Sequence, residues 1–312
     1  MPTVIQGNVA SSGTLLQNYL FKKTLENFES ELYFAKMGEK PMVSEGYSTV
    51  SWAKPSKLTR SVAQSTLVEG VTPASAAFSF ATVTATPVQY GLYVEVSDQL
   101  LNVAPVDILG KAAVEVRNNL ARVIDQVIQA EAMAGSEYIY ASADHSTRAT
   151  LDSTDVMTGA YINKAVIKLK TEDAPTFDGY YVAIAHPQVA GDLKTESNGA
   201  WIEFSKYTTP EKLFKGEIYA LYGARIVESS NVQTFASTVT VFPTLVMGKG
   251  AYGVADFSSA EVLYSPLGAS KSDPLAQRAT VGAKVFFAAK RLQEKGMLRI
   301  ESAATSVAGA TT

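Results

Sequence analysis

The chain has 312 residues, of which 46% are hydrophobic, and a formal net charge of −3, so it can bury the core of one large domain or two modest ones. The slight acidic excess does not fit the basic surface by which proteins read nucleic acids. The absence of cysteine excludes disulfides, thiolate metal sites and cysteine nucleophiles. Because the sequence shows no signal-peptide pattern and no run of about 18 apolar residues, we expect a soluble protein.

Residues 1–46 are predicted to form an extended arm that carries short amphipathic helices. Apolar residues recur at spacings of three and four within 15–20 and again within 25–34, which is the period of one helix face. Gly38, Pro41 and Gly46 then interrupt the pattern.

Residues 47–98 predict a long, thin β-hairpin. Its first strand begins at "TVSW", and its return strand is expected to be "PVQYGLYVEVSD", in which apolar and polar residues alternate from 88 to 96. The segment "EGVTP" contains residues that favour a turn. The residues expected at the tip of the hairpin, where it contacts other molecules, are Leu67, Glu69, Val71, Thr72 and Pro73.

This hairpin lacks the apolar residues that it would need to be stable alone. Serine, threonine and alanine dominate its middle section, and a two-stranded hairpin is at best marginal in water. Ordering each backbone residue costs about 1–2 kcal/mol, and such small side chains bury too little apolar area to offset that cost. We therefore expect the hairpin to pack on something outside its own core.

The longest predicted helix covers residues 105–134. Pro105 suits its first turn and Gly135 is placed as its C-terminal cap. At 1.5 Å per residue the helix would be about 45 Å long, too long for a compact domain. Beside a hairpin that is unstable alone, it predicts a flat, elongated subunit completed by neighbouring copies. Steps of four and three place one apolar stripe along the helix, formed by Leu109, Ala113, Val116, Leu120, Val123, Val127 and Ala130.

The rest of the chain predicts an α+β fold. The pattern indicates a helix at 159–170, a buried strand at 179–185 and a second helix that starts at His186, followed by strands and turns up to 268. Residues 269–303 are predicted to return as β-structure with Val281, Ala283, Val285 and Phe287 on one face. The remaining residues, 304–312, are expected to form a disordered tail.

The search for catalytic chemistry finds little. His145 follows Asp144 in a polar loop, where we expect it to be solvated, and His186 directly precedes Pro187, where we expect a capping or packing role. Two isolated histidines do not make the common multi-histidine metal sites. The segment "SWAK" matches S-x-x-K, but this motif opens a helix and the segment predicts a strand. We expect no enzyme, no metal and no cofactor.

Several blocks of the sequence, taken in order, resemble the major capsid proteins of tailed bacteriophages, and more narrowly the capsid family typified by the N-four-like phages. The matching blocks run from about residue 45 to 303 and so cover nearly the whole chain. They are "LVEGVTP", "VQYGLYVEVSD", "VIDQVIQ", "LKTEDAPTFDGYYVAIAHPQVAGDLK", "YGARIVES", "VMGKGAYG" and "DPLAQRATVGAKVFFAAKRL".

The resemblance implies the Hong-Kong-97-type capsid fold, which is α+β. In that fold the extended hairpin reaches across an adjacent subunit, so its partner would be another copy of the chain. The expected parts are an N-terminal arm at 1–46, the extended hairpin loop at 47–98, a peripheral domain at 99–159 with its spine helix at 105–134, an axial domain at 160–268, peripheral return strands at 269–303 and the tail.

The resemblance also implies function and partners. A capsid protein of this kind self-assembles into hexamers and pentamers of an icosahedral shell around double-stranded DNA, with which the acidic chain would make loose contact. It belongs to the virion, is assembled in the host cytoplasm and needs no membrane. A portal, a decoration protein and a scaffolding protein are the other expected partners, and the scaffold would be separate because the arm is short.

Two other functions remain open on the sequence. An encapsulin-like cellular compartment has the same fold and stores a cargo enzyme, and a small α/β enzyme could be centred on His186. Some capsid proteins cross-link their subunits through a hairpin lysine, but no activating carboxylate can be assigned to Lys54 or Lys57, so no cross-link is predicted.

Overall fold

Three separate β-sheets and one long helix organise the described part of the chain. The computed structural model describes residues 33–41, 48–58, 66–72, 75, 77–103, 108–142, 144–196, 218–269 and 273–305. The helices in this part are α1 (Tyr33–Met37), α2 (Asp98–Val103), α3 (Ile108–Met133), α4 (Gly159–Thr171) and α5 (Pro187–Thr195). The strands are β1 (Val50–Pro55), β2 (Phe80–Ala85), β3 (Val88–Ser97), β4 (Tyr138–Tyr140), β5 (Tyr181–Ala185), β6 (Ile218–Leu221), β7 (Ala224–Glu228), β8 (Phe242–Met247), β9 (Tyr252–Ser265), β10 (Arg278–Arg291) and β11 (Met297–Ser302).

A three-stranded antiparallel sheet packs against α3. Its strand order is β3–β10–β9, and the central strand β10 alternates buried and half-exposed residues along its first ten positions. The predicted face of β10 is confirmed, because Val281, Ala283, Val285 and Phe287 are all buried and share one apolar cluster with α3.

The apolar stripe of α3 follows the prediction over about two turns, from 113 to 120, and then departs from it. Ala113, Val116 and Leu120 are buried, and the buried line continues through Ile124 and Ile128. Steps of four and three average 3.5 residues per turn, whereas a straight helix has 3.6 and drifts by about 20° every seven residues. The later part of the predicted stripe therefore turns away from the core face, where Val123 is half-exposed and Ala130 is exposed. Leu109 and Val127 are also half-exposed but still pack against the cluster that contains α3.

The C-terminal end of α3 is capped by arginines and not, as predicted, by Gly135. Gly135 is absent from the glycines with positive φ, and a Cβ at this position would clash with the Arg291 guanidinium. Arg291 Nη1 donates to the carbonyl oxygen of Ala132 at 2.7 Å, and Arg299 donates to that of Met133. Cations at this end of a helix interact favourably with its dipole, so the side chains replace the left-handed glycine cap.

A six-stranded mixed sheet forms the second body, in the order β4–β11–β8–β5–β7–β6. Its central strand β5 is buried along its whole length, and the predicted strand and the two predicted helices around it (α4 and α5) are confirmed. Successive β5 residues point to opposite faces: Val182 and Ile184 join the cluster that contains α3, while Ala183 and Ala185 join a second cluster with α4 and α5. The sheet therefore separates two apolar cores.

The two sheets do not follow the predicted linear division of the chain. Strand β9 lies within 160–268, yet it pairs with β10 in the three-stranded sheet. Strand β11 was expected to return with 269–303 to the peripheral sheet, and this is wrong: it pairs with β8 and β4 in the six-stranded sheet. Strands that follow one another in the chain can join different sheets, as β10 and β11 do, so order along the chain does not decide to which sheet a strand belongs.

Parts of the arm, the start of the long helix and most of the tail lie outside the described residues. The predictions for 15–20, for Pro105 and for 306–312 are among these. Within the described part of the arm, Phe34 of α1 is fully buried against the core that contains α3. None of the helices in the described residues is long and apolar enough to cross a bilayer.

Candidate interaction surface

The hairpin is shorter than predicted and has a different return strand. β1 pairs antiparallel with β2, from Val50 opposite Ala85 to Pro55 opposite Phe80. The expected return strand β3 pairs instead with β10 over ten residues, so that part of the prediction is wrong. The physical reason is burial. When β3 pairs with β10, its Tyr90 and Leu92 pack against the core that contains α3. Pairing with β2, which consists mostly of small residues, would not bury them in this way.

Beyond its base the hairpin is not buried by any other part of the described chain. Every described residue from 53 to 80 is exposed. At the predicted tip, Val71 N donates to the carbonyl oxygen of Val68 at 3.1 Å, and Gly70 between them has φ +79°, a backbone region that favours glycine. The expected turn therefore forms at 68–71.

The tip presents apolar side chains to solvent. Leu67 is 73% exposed and Val71 63%; Glu69 and Thr72 are also exposed, and Pro73 lies outside the described residues. Val68, which the sequence analysis did not select, adds a third large apolar side chain. A cluster of exposed apolar residues is typical of an interaction site. Contact of the tip with another subunit stays a prediction.

Lys57 of the hairpin contacts its own chain. Its Nζ lies 3.1 Å from Oδ2 of Asp173, in the loop after α4, and both side chains are largely exposed. Exposed ion pairs of this kind contribute about 0–1 kcal/mol. Lys54 is exposed on β1.

His186 has the capping and packing role predicted for it. It is the N-cap residue of α5, where Nδ1 accepts a hydrogen bond from Gln188 N at 3.3 Å. Its ring also packs against Phe242, with 4.9 Å between ring centroids. Burial lowers the pKa of His186, which favours the neutral imidazole that such an acceptor requires.

His145 is not the solvated loop residue that was predicted. Its Nδ1 lies 2.7 Å from Oδ2 of Asp155, a buried carboxylate ten residues along the chain, and this hydrogen bond raises the pKa of His145. The same Oδ2 accepts from Asp152 N at 2.9 Å. His145, Asp152 and Asp155 each offer one ligand atom within 4.8 Å of the others, a spacing that a cation could bridge, although hydrogen bonds within the chain already account for their positions.

The His145–Asp155 pair should make stability depend on pH. Because the folded pKa of His145 is raised, its contribution is fully present below the unfolded pKa of about 6.5 and is lost as pH rises through the folded value. His145→Gln should therefore lower the melting temperature more at pH 5.5 than at pH 8.5, as thermal unfolding would measure.

His186→Gln provides the control of opposite sign. The folded pKa of His186 is lowered, so the wild-type protein loses the contribution of this histidine to stability as pH falls. The melting temperature of His186→Gln, relative to that of the wild type, should therefore be higher at pH 5.5 than at pH 8.5. Equal effects of His145→Gln at both pH values would contradict the assignment of the His145–Asp155 pair.

The family comparison identifies a capsid protein. The model of a family described as "Phage capsid protein" matches residues 81–300, more than two thirds of the chain. No curated protein matches the chain significantly.

Solved capsid structures share the fold. The capsid of Ralstonia phage GP4 is 15% identical, with a TM-score of 0.70 and coverage of 90% of this chain and 91% of that one. The cyanophage Pam1 capsid is also 15% identical (TM-score 0.66, coverage 86% and 89%), and Mycobacterium phage Che8 is 17% identical (TM-score 0.60, coverage 82% and 85%). These matches confirm the predicted Hong-Kong-97-type fold, and with the family match they lead to one conclusion: the chain belongs to the phage capsid protein family.

Proposed function

We propose that this chain assembles through its β1–β2 hairpin into hexamers and pentamers of an icosahedral shell around double-stranded DNA. The observation that carries the proposal is the tip of the hairpin, where Leu67, Val68 and Val71 are exposed at the end of a two-stranded sheet. A second copy of the chain would supply the apolar partner that these side chains lack in a single subunit.

In this proposal each contact is modest and repetition makes the shell stable. Full burial of one such side chain contributes about 1.5–3 kcal/mol, and part of this is offset by the ordering of the contact. A subunit held by several neighbours at once gains from multivalency, and closed symmetry repeats the same contact around each ring. The mechanism is geometric and needs no turnover.

The two sheets suggest how the subunit is divided. We assign α3 and the three-stranded sheet to the peripheral domain, and the six-stranded sheet with α4 and α5 to the axial domain at the centre of each capsomer. This assignment follows the strand pairing and replaces the linear boundaries at 160 and 268. A portal, a separate scaffolding protein and a decoration protein are proposed partners, with assembly in the host cytoplasm.

Deletion of residues 68–71 tests the role of the tip. We expect the wild-type chain to form closed shells, or rings of five and six subunits, by negative-stain electron microscopy and light scattering. The deletion should leave a folded subunit, because the described residues of the tip are exposed, but should reduce the yield of shells at least about tenfold, since the lost contact recurs at every subunit.

The control for this experiment is Ile167→Ser, which removes an apolar side chain of similar exposure (55%) from α4 and should assemble normally. Circular dichroism on all three proteins checks that the subunits are folded. Normal closed shells from the deletion variant would contradict the proposed role of the hairpin.

A further inference from the structure

The base of the hairpin is held on the body of the subunit by a tryptophan that lies on a glycine. A Cβ on Gly253 of β9 would stand 2.6 Å from Cζ2 and 2.7 Å from Cε2 of Trp52, distances that no side chain can adopt. The indole of β1 therefore occupies the space that any other residue at position 253 would fill.

The backbone on both sides of Gly253 is fixed by the segment that follows α1. Glu39 N donates to the carbonyl oxygen of Tyr252 at 2.9 Å, and Val254 N donates to that of Glu39 at 3.0 Å. The glycine surface under the indole is thus held in place from two directions, and it provides a rigid platform for Trp52.

The residues around this contact are small. Val50 and Ala85, which face each other at the base of the hairpin, form a buried cluster with Ala255 of β9 and Ala288 of β10, and Trp52 packs against its edge. Trp52 is the largest apolar side chain of β1, so it supplies most of the apolar area that ties this strand to the three-stranded sheet.

The docked position leaves one polar group without compensation. Trp52 Nε1 is buried and has no hydrogen-bond partner among the described residues. A buried donor without a partner weakens the contact that buries it. The unpaired donor therefore lowers the free energy needed to release Trp52 from its docked position.

We propose that Trp52 is the positioning residue that sets the direction of the hairpin by docking on Gly253. The inference rests on the proposed function of the hairpin as the contact between subunits. Every described residue from 53 to 80 is exposed, and the exposed ion pair of Lys57 with Asp173 contributes little. The direction in which the tip leaves the subunit therefore depends mainly on the base of the hairpin. Without this anchor the tip samples many directions, and the fraction of subunits that present it correctly to a neighbour falls.

The first test measures docking directly in the unassembled subunit. The chain has two tryptophans, Trp52 and Trp201, so Trp201→Phe leaves Trp52 as the single tryptophan. Its emission should be blue-shifted and protected from acrylamide, compared with the same protein in urea. Emission and quenching equal to those of the unfolded chain would overturn the inference, and this test leaves the Trp52 contact itself unaltered.

The second test releases the anchor. In Trp52→Ala, the backbone amides of the β1–β2 ladder should exchange with deuterium at least about tenfold faster than in the wild type, because exchange follows the fraction of open hairpin. Trp52→Phe should restore most of the protection. Phe80→Ala is the matched control, since Phe80 is an exposed hairpin residue opposite Pro55, and its ladder amides should exchange at the wild-type rate.

Shell assembly of the same variants separates this inference from the proposed function. We expect Trp52→Ala to reduce shell yield while circular dichroism shows a folded subunit. Unchanged amide exchange in Trp52→Ala overturns the anchor, even if deletion of 68–71 abolishes shells and so supports the proposed function. Faster amide exchange in Trp52→Ala, together with normal shells from Trp52→Ala and from the deletion variant, leaves the anchor in place and overturns the proposed role of the hairpin.

Discussion

Glu301→Gln is expected to lower the free energy of unfolding by about 3–5 kcal/mol, because it breaks a buried ion cluster by removing one partner. The Glu301 side chain is fully buried. Its Oε2 accepts from Arg148 Nε at 2.6 Å and its Oε1 from Arg148 Nη2 at 2.6 Å. Arg299 Nε lies 2.7 Å from the same Oε1. The neutral amide would leave the two guanidinium groups without an opposite charge.

Among the described residues, the surroundings of the cluster offer the two arginines no simple replacement for the lost negative charge. Arg148 lies over the ring of Phe235, 3.9 Å from its centroid, and Arg299 lies 5.5 Å from the centroid of Tyr138. Each arginine therefore contacts an aromatic ring, and Arg299 is largely buried. The hydrogen bond to Glu301 raises the pKa of Arg148. The cluster joins the segment before α4 to β11, the second strand of the six-stranded sheet.

Urea denaturation of the unassembled subunit measures the effect of Glu301→Gln. Glu261→Gln is the matched control, because Glu261 pairs with Lys284 at 3.0 Å across β9 and β10 with both side chains nearly half exposed. Exposed pairs are worth about 0–1 kcal/mol. Equal losses of unfolding free energy in the two variants would show that burial does not determine how much the Glu301 cluster contributes to stability.

Asp125→Ala should lower the free energy of unfolding by about 1–3 kcal/mol, since the buried N–H of Phe34 loses its hydrogen-bond partner. Asp125 of α3 is 1% exposed. Its Oδ1 accepts from Phe34 N of α1 at 3.0 Å, and its Oδ2 accepts from Asn231 Nδ2 at 3.1 Å. Burial raises the pKa of Asp125, and these two hydrogen bonds oppose the rise. One carboxylate thus ties the arm, the long helix and the loop after β7 together.

The neighbouring contacts explain why Asp125 is placed at this junction. Tyr252 of β9 donates its hydroxyl to the carbonyl oxygen of Phe34 at 2.5 Å. Gln129, one turn after Asp125, accepts from Gln233 N at 3.2 Å. Two polar residues on the buried face of α3 therefore hold the loop that leads from the six-stranded sheet.

Asp125→Asn is the graded comparison, because its amide oxygen can still accept from Phe34 N. We expect it to lose less than half as much stability as Asp125→Ala in the same urea measurement. Losses below about 1 kcal/mol in both variants, the range of ordinary surface substitutions, would contradict a structural role for the carboxylate.

The sequence by itself determined the elements whose signal is local. The period of apolar residues is set by the geometry of the chain, so α3, α4, α5 and the buried face of β10 could be predicted from their spacing. The turn at 68–71 followed from its glycine, and the exposed tip followed from a hairpin that is poor in apolar residues. The family resemblance was also visible in the order of the blocks.

Only the tertiary structure decided which elements meet. Alternation shows that a strand has a buried face but not which strand pairs with it, so the pairing of β1 with β2 and the place of β11 were predicted wrongly. The partners Asp155 of His145 and Phe34 of Asp125 lie 10 and 91 positions away. The docking of Trp52 on Gly253 joins residues that are far apart in the chain, and such contacts depend on packing in space, which no local pattern encodes.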